Sequence, residues 1–263
     1  MSNRTLDRRG ALTTLAAVPF AAGLAAVLND PAKARAAAAG LEEVQLTTAG
    51  GRAVSASLAR PGAAKAPAVL LIHEWWGLND QIKATAAEFA KQGYLALAVD
   101  LYGGKAADAG DAAAARSLMQ AVQQDQALDT LVSWLGWLRA HEASTGKVGT
   151  CGWCFGGGWS LNASIATPVD ATVIYYGRVD RPVEDLKKLQ GPVLGHFGTR
   201  DKGITPEMVQ TFERRMTEAG RPATIYMYDA DHAFANPTGA RYDAEDAALA
   251  WQRTMTFLGE QLA

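Results

Sequence analysis

Gly152-Trp153-Cys154-Phe155-Gly156 sets a thiol between two glycines, behind the apolar stretch Val148-Gly149-Thr150-Cys151 and ahead of a run that can form a helix. A strand that turns sharply into a helix needs small residues on both sides of its apex, because the backbones approach closely there. Such a nucleophile elbow lifts the Cys154 sulfur above a sheet and places it at a helix N-terminus, where free N–H groups favour an anionic sulfur. The corresponding chemistry is acyl transfer: attack on a carbonyl, a covalent acyl intermediate, and release by water.

That chemistry needs a base, an acid and donors for an oxyanion. His232, in Asp229-Ala230-Asp231-His232-Ala233-Phe234, has the chemistry of a base that accepts the thiol proton and returns it to the leaving oxygen. Asp201, in Gly198-Thr199-Arg200-Asp201, can fix the imidazole tautomer and stabilise its positive charge. Asp229 and Asp231 flank His232 and compete for that role. The order Cys154, Asp201, His232 and the position of each segment after an apolar strand favour Asp201. The backbone N–H of Phe155 is the expected first oxyanion donor, and that of Trp75 in His73-Glu74-Trp75-Trp76-Gly77-Leu78-Asn79 the second. A Glu74 carboxylate beside the elbow thiol could hold it neutral at rest and take its proton when substrate arrives. Asp80 is the better candidate for capping the following helix. His73, His141 and His196 show no metal-ligand spacing. Arg200 reads as structural or as the partner of a carboxylate.

The elements that must carry these residues follow from periodicity and punctuation. A hairpin is predicted over 44–48 and 53–60, and strands over 68–72, 94–99, 147–151, 171–175, 192–197 and 223–228. Helices are predicted over 81–92, within an interrupted 109–141, and over 157–166, 181–189, 206–219 and 241–262. Trp134, Trp137 and Leu138 share one helical face and read as core. Strands that are apolar throughout and alternate with helices imply a mostly parallel sheet covered on both faces, and ligands bind beyond the C-terminal ends of such strands.

In this context the chain resembles the dienelactone hydrolase (carboxymethylenebutenolidase) family of the α/β-hydrolase superfamily, over essentially all of residues 42–262. The resemblance rests on the segments quoted above together with Asp100-Leu101-Tyr102 and His196-Phe197-Gly198. It implies a three-layer α/β-hydrolase fold, a Cys154–His232–Asp201 triad, and a part for Glu74 in activating the cysteine. It also implies hydrolysis of a small ester or lactone with no cofactor and no metal. The family holds an anionic substrate with arginines and a serine. Here Gly103-Gly104-Lys105 follows Tyr102, Ala233 follows His232, and Asn236 stands at the second arginine position, so that clamp is largely missing. Lys105 and Arg178 are the remaining candidates for it. A more apolar pocket is expected, lined by Trp75, Trp76, Tyr102 and Phe234, with Trp153 equally readable as core.

Composition narrows the partners. The 263 residues carry a net charge of −2, so no nucleic acid is indicated, and the chain is expected to act as a monomer. Residues 1–36 read as a twin-arginine signal peptide: Arg8-Arg9, an apolar run over 11–28, and an Ala34-Arg35-Ala36 cleavage site. The expected mature domain is 37–263, periplasmic or secreted and without stable membrane association. An uncleaved membrane anchor is the alternative. Cys151 and Cys154 are the only cysteines. Cys151 reads as a core residue, and a disulfide between the two would disable the elbow. Three readings compete with the lactone hydrolase: a broad carboxylesterase or thioesterase, a non-catalytic binding protein, and a thiol-redox protein.

Overall fold

The structure, a computed structural model, describes residues 27–263. Arg8-Arg9 and most of the apolar run that follows lie outside the described residues. Eight strands form one sheet: β1 (Glu42–Thr47), β2 (Ala53–Ala59), β3 (Ala66–Ile72), β4 (Leu95–Val99), β5 (Ser144–Trp153), β6 (Ala171–Tyr175), β7 (Val193–Gly198) and β8 (Ala223–Tyr228), in the spatial order β1-β2-β4-β3-β5-β6-β7-β8. The hairpin β1–β2 joins β4 antiparallel, and every pairing from β4 to β8 is parallel. The helices are α1 (Pro31–Ala39), α2 (Asp80–Lys91), α3 (Ala112–Ala121), α4 (Gln124–Ala140), α5 (Phe155–Ala166), α6 (Val183–Leu186), α7 (Pro206–Glu218) and α8 (Ala244–Gln261).

Alternation along the central strands divides the core between the two faces of the sheet. Val69 and Leu71 of β3 and Ala96 and Ala98 of β4 pack with Phe89 of α2 and Trp251 and Leu258 of α8. The intervening Leu70, Ile72, Leu95 and Leu97 pack with Leu131, Trp134 and Leu138 of α4 and Trp159 of α5. Trp137 packs against the same cluster as Trp134 and Leu138. The result is the three-layer α/β arrangement expected from the sequence.

Three local features differ from expectation. The helix predicted over 181–189 shrinks to the single turn of α6. Pro182 sits at its N-cap, and Lys188 and Leu189 bond back to Asp185 and Leu186 in tight turns instead of extending the helix. The cap of α2 is Asn79, whose side chain accepts from the N–H of Ile82 at 3.1 Å, while Asp80 is the first helical residue. The Ala34-Arg35-Ala36 site lies inside α1, which is capped by Asp30 and starts with Pro31. Leu28 and Ala34 are buried against Ala84 of α2. An alanine-rich segment satisfies both readings, since alanine is the best helix former and also suits a processing site.

The tightest packing lies where β5 turns into α5. Cys154 occupies the apex at φ 54°, ψ −115°, a conformation that a non-glycine residue holds only when its surroundings enforce it. A Cβ on Gly152 would lie 2.0 Å from the carbonyl oxygen of Gly156, and one on Gly156 would lie 2.1 Å from that of Ile72. Both obstacles are backbone, so no rotamer change relieves them. Gly156→Ala should therefore cost about 3 kcal/mol or more in urea unfolding, at the upper end of overpacking. By contrast, a methyl group on Gly136 of α4 would have no neighbour within 4 Å, and Gly136→Ala should gain roughly 0.5–1 kcal/mol. Equal stability of the two variants would show that the elbow relaxes more easily than its geometry implies.

Candidate active site

The chemically competent side chains gather beyond the C-terminal ends of the parallel strands. Glu74 follows β3, Cys154 follows β5, Tyr176 follows β6, Asp201 follows β7 and His232 follows β8. His232 bridges two of them: its Nδ1 donates to Asp201 Oδ2 at 2.6 Å, and its Nε2 faces Cys154 Sγ at 3.1 Å. The other oxygen of Asp201 accepts from the backbone N–H groups of Gly203 and Ile204 at 2.8 and 2.9 Å, which fixes the carboxylate. Ala233, just after the histidine, has φ 64°, and its carbonyl accepts from the N–H of Asn236. Asp229 and Asp231 turn away and pair with Arg200, at 2.8 and 3.6 Å.

The electrostatics follow from burial and partners. Burial opposes charging His232, but the hydrogen bonds to Asp201 and Cys154 outweigh it and raise its pKa to about 10. Burial likewise works against the Asp201 carboxylate. The bonds from His232, Ile204 and Gly203 overcome it and hold the carboxyl below its ordinary range. The other histidines behave differently. His196 is fully buried and its pKa is depressed to about 3, with Tyr228 and Thr254 on its two nitrogens. His73 is also buried and depressed. His141 caps the C-terminus of α4 and accepts from the N–H of Ala143.

Glu74 is 3% exposed, and burial raises its pKa. Bonds from Asn236 Nδ2 and from the Tyr176 phenol (3.2 Å), with the nearby charges of His232 and Arg241, offset that rise only in part. Among the described residues, no hydrogen bond joins Glu74 to Cys154. The sulfur faces His232, and the carboxylate is held from the other side, which differs from the direct Glu74–thiol contact expected from sequence. Tyr176 and Arg241 were not legible as site residues, and Asn236 was legible only as a missing arginine. Tyr176 stands one residue beyond a predicted strand end, at φ 38°, with its ring against His232 at 5.2 Å. That strand-end position is the one signal that could have found it.

The remaining expected residues separate into two groups. The backbone N–H groups of Phe155 and Trp75 have no protein acceptor among the described residues, so both are available as donors. The Trp75 carbonyl accepts from Tyr102 O–H at 3.1 Å, which ties the β3 loop to the segment after β4. Trp76 packs edge-on against Trp75 and is partly exposed. Phe234, expected on the pocket wall, is instead fully buried: its ring packs on Tyr176 and Tyr228, so it offers no surface to a ligand. Trp153 is 7% exposed and stacks on Tyr175 in the core. Cys151 is fully buried, and burial pushes its thiol pKa well above the ordinary range. The side chains of Lys105 and Arg178 are exposed and make no hydrogen bond or ion pair among the described residues.

Comparison with known proteins gives this arrangement a lineage. A model of the dienelactone hydrolase family matches residues 54–262. The chain belongs to the dienelactone hydrolase family. It is 29% identical over 230 residues to a carboxymethylenebutenolidase of Pseudomonas putida, covering 82% of this chain and 95% of that one. It is 30% identical over 248 residues to a Saccharolobus solfataricus protein that bears the same name provisionally, covering 79% and 94%. Among solved structures, a Klebsiella pneumoniae protein provisionally named a dienelactone hydrolase superposes with a TM-score of 0.74 at 26% identity, over 84% of this chain and 99% of that one. The chain has the α/β-hydrolase fold.

The raised pKa of His232 has a measurable consequence. Because its folded value lies above the ordinary 6.5, its pairing stabilises the fold fully below about pH 6.5 and is lost as pH rises towards 10. Asp201→Asn removes the largest raising influence. The His232 ring should then titrate at lower pH in NMR spectra, and the stability difference between the variant and the parent should shrink across that window. An unchanged midpoint would mean that Asp201 does not set the charge of His232.

Proposed function

We propose that this chain hydrolyses carboxylic ester or lactone bonds by nucleophilic cysteine catalysis. The observation that carries the reading is the continuous Asp201–His232–Cys154 hydrogen-bonded chain, with the sulfur at a strained elbow. Family membership supports the hydrolase class.

In this reading His232 Nε2 holds the proton shared with the sulfur, as its raised pKa favours, while Sγ attacks the carbonyl carbon. The carbonyl π electrons move onto oxygen, where the N–H groups of Phe155 and Trp75 receive the charge. Collapse reforms the carbonyl and breaks the bond to the leaving oxygen, which takes the proton from His232. Water then attacks the thioester, giving its proton to His232, and the acid leaves as the sulfur is released beside the protonated imidazole. Asp201 holds the imidazole orientation throughout and balances its charge. Glu74, buried and raised in pKa, adds a carboxyl near the histidine that can carry a proton while substrate binds. Lacking the family's arginine clamp, the site favours less charged substrates.

The redox alternative requires both cysteines to react. Complete burial of Cys151 disfavours it.

The Arg8-Arg9 start also supports export by the twin-arginine route, as a proposal separate from the chemistry. Processing at Ala34-Arg35-Ala36 would sever α1. N-terminal sequencing of the exported protein would identify its first residue, and a cytoplasmic location would overturn the route.

Steady-state hydrolysis of p-nitrophenyl acetate and of a dienelactone should both be cysteine-dependent, with the neutral ester preferred. Cys154→Ala should lower kcat/KM by roughly 10³-fold or more, and Cys154→Ser should lose most activity. Glu74→Gln should slow the acylation burst while leaving urea unfolding unchanged. Full turnover by Cys154→Ala would refute the mechanism.

A further inference from the structure

A cleft of about 620 Å³, within the range of small-molecule pockets, lies beside the loop that carries Glu74 and Trp75. One wall comes from Trp76 and Leu78 in the loop after β3, and a second from Ala107 and Ala109 in the loop after β4. The third comes from Leu28 and Pro31, which precede the part of the chain matched by the family model.

Two contacts tie the walls of the cleft to the site. Trp76 follows Trp75, the expected oxyanion donor, and its carbonyl accepts from the N–H of Ala107 at 2.8 Å. Asn236 lines the cleft and also holds the Glu74 carboxylate. The third wall is fixed independently: Leu28 and Ala34 are buried against Ala84, so α1 sits on α2 at a set position.

Charge identifies the occupant. The cation in the lining, Arg35, is 3.6 Å from Asp80, and Asp80 and Asp108 are the acids beside it. A carboxylate entering this cleft would meet Arg35 already paired with Asp80, beside a second acid, Asp108. An apolar, uncharged group would meet tryptophan, leucine, proline and alanine surfaces.

We infer that this cleft is a substrate subsite for the elongated, apolar, uncharged arm of an ester, and that residues 28–35 form its outer wall and set its specificity. The inference rests on the proposed hydrolase reading and deepens it. In a chain that keeps residues 28–35, the segment ahead of the family-matched region thus becomes part of the substrate-binding surface.

The test uses the full chain and three esters: p-nitrophenyl acetate, p-nitrophenyl hexanoate, which lengthens the acyl arm, and 1-naphthyl acetate, which enlarges the alcohol arm. Pro31→Trp and Ala109→Trp narrow the cleft from opposite walls at exposed positions, so neither disturbs the core. For each variant, the kcat/KM of at least one enlarged ester relative to p-nitrophenyl acetate should fall by about tenfold, the scale on which one pocket contact discriminates. Ratios within twofold of the parent for both enlarged esters, or raised ratios, would overturn the subsite. A fall with Ala109→Trp but not with Pro31→Trp would overturn the part assigned to residues 28–35. Failure of the underlying reading looks different: the unmodified chain would then show no Cys154-dependent turnover of any of the three esters.

Discussion

Between Gly152 and Gly156 the chain passes so close to itself and to the end of β3 that only hydrogen fits at either position. This steric constraint forces Cys154 into a conformation it would not otherwise hold. Everything else at the site depends on it. The turn raises the sulfur above the sheet edge, points it at His232, and starts α5 with unpaired N–H groups beside it. It also locks β5 against β3, because the atom that Gly156 must avoid is the carbonyl oxygen of Ile72, two residues before Glu74. Cys154 and the loop that carries Glu74 and Trp75 are therefore positioned by a single contact.

Around that rigid point lies an unusual amount of buried polarity. Glu74, Tyr176 and Asn236 form one group, and His196, Tyr228, Thr254 and Tyr175 form another beneath the sheet end. Each member has a partner, so burial is tolerable and the groups are oriented. Two histidines near these groups titrate differently. At His232 a carboxylate and a thiol outweigh burial and push the pKa up, whereas at His196 burial, reinforced by the charge of Arg253, pushes it down. The same side chain thus favours its charged form in one place and its neutral form in the other.

Much of this was legible in the sequence, and the rest was not for identifiable reasons. The strands at 171–175 and 223–228 coincide with β6 and β8, because short apolar runs bounded by glycine, proline and aspartate have few other readings. Cys154, Asp201 and His232 could be picked out because each sits in a short motif after a strand. Phe234 was misplaced because a residue two positions past His232 can face either way, and the positive φ of Ala233 turns it into the core. The Asn236–Glu74 bond spans 162 positions and leaves no local periodicity, so only the fold brings it into view. α1 was hidden by ambiguity of composition: alanine-rich sequence suits a helix and a leader equally.

The two outer strands of the sheet bear on how copies of the molecule meet one another. An open sheet ends in unpaired backbone groups that can recruit a further strand from another chain. β1 carries Glu42, Glu43 and Gln45 on exposed positions, with Arg60 and Lys83 paired to the two glutamates. At the opposite edge, Arg253 lies over the Tyr226 ring of β8, 3.8 Å from its centroid. Any chain adding to β1 would have to bring its own strand alongside charges already satisfied, and one adding to β8 would meet a fixed guanidinium. Both margins of the sheet that carries Cys154 thus hold charged side chains, a feature that discourages a further strand from adding.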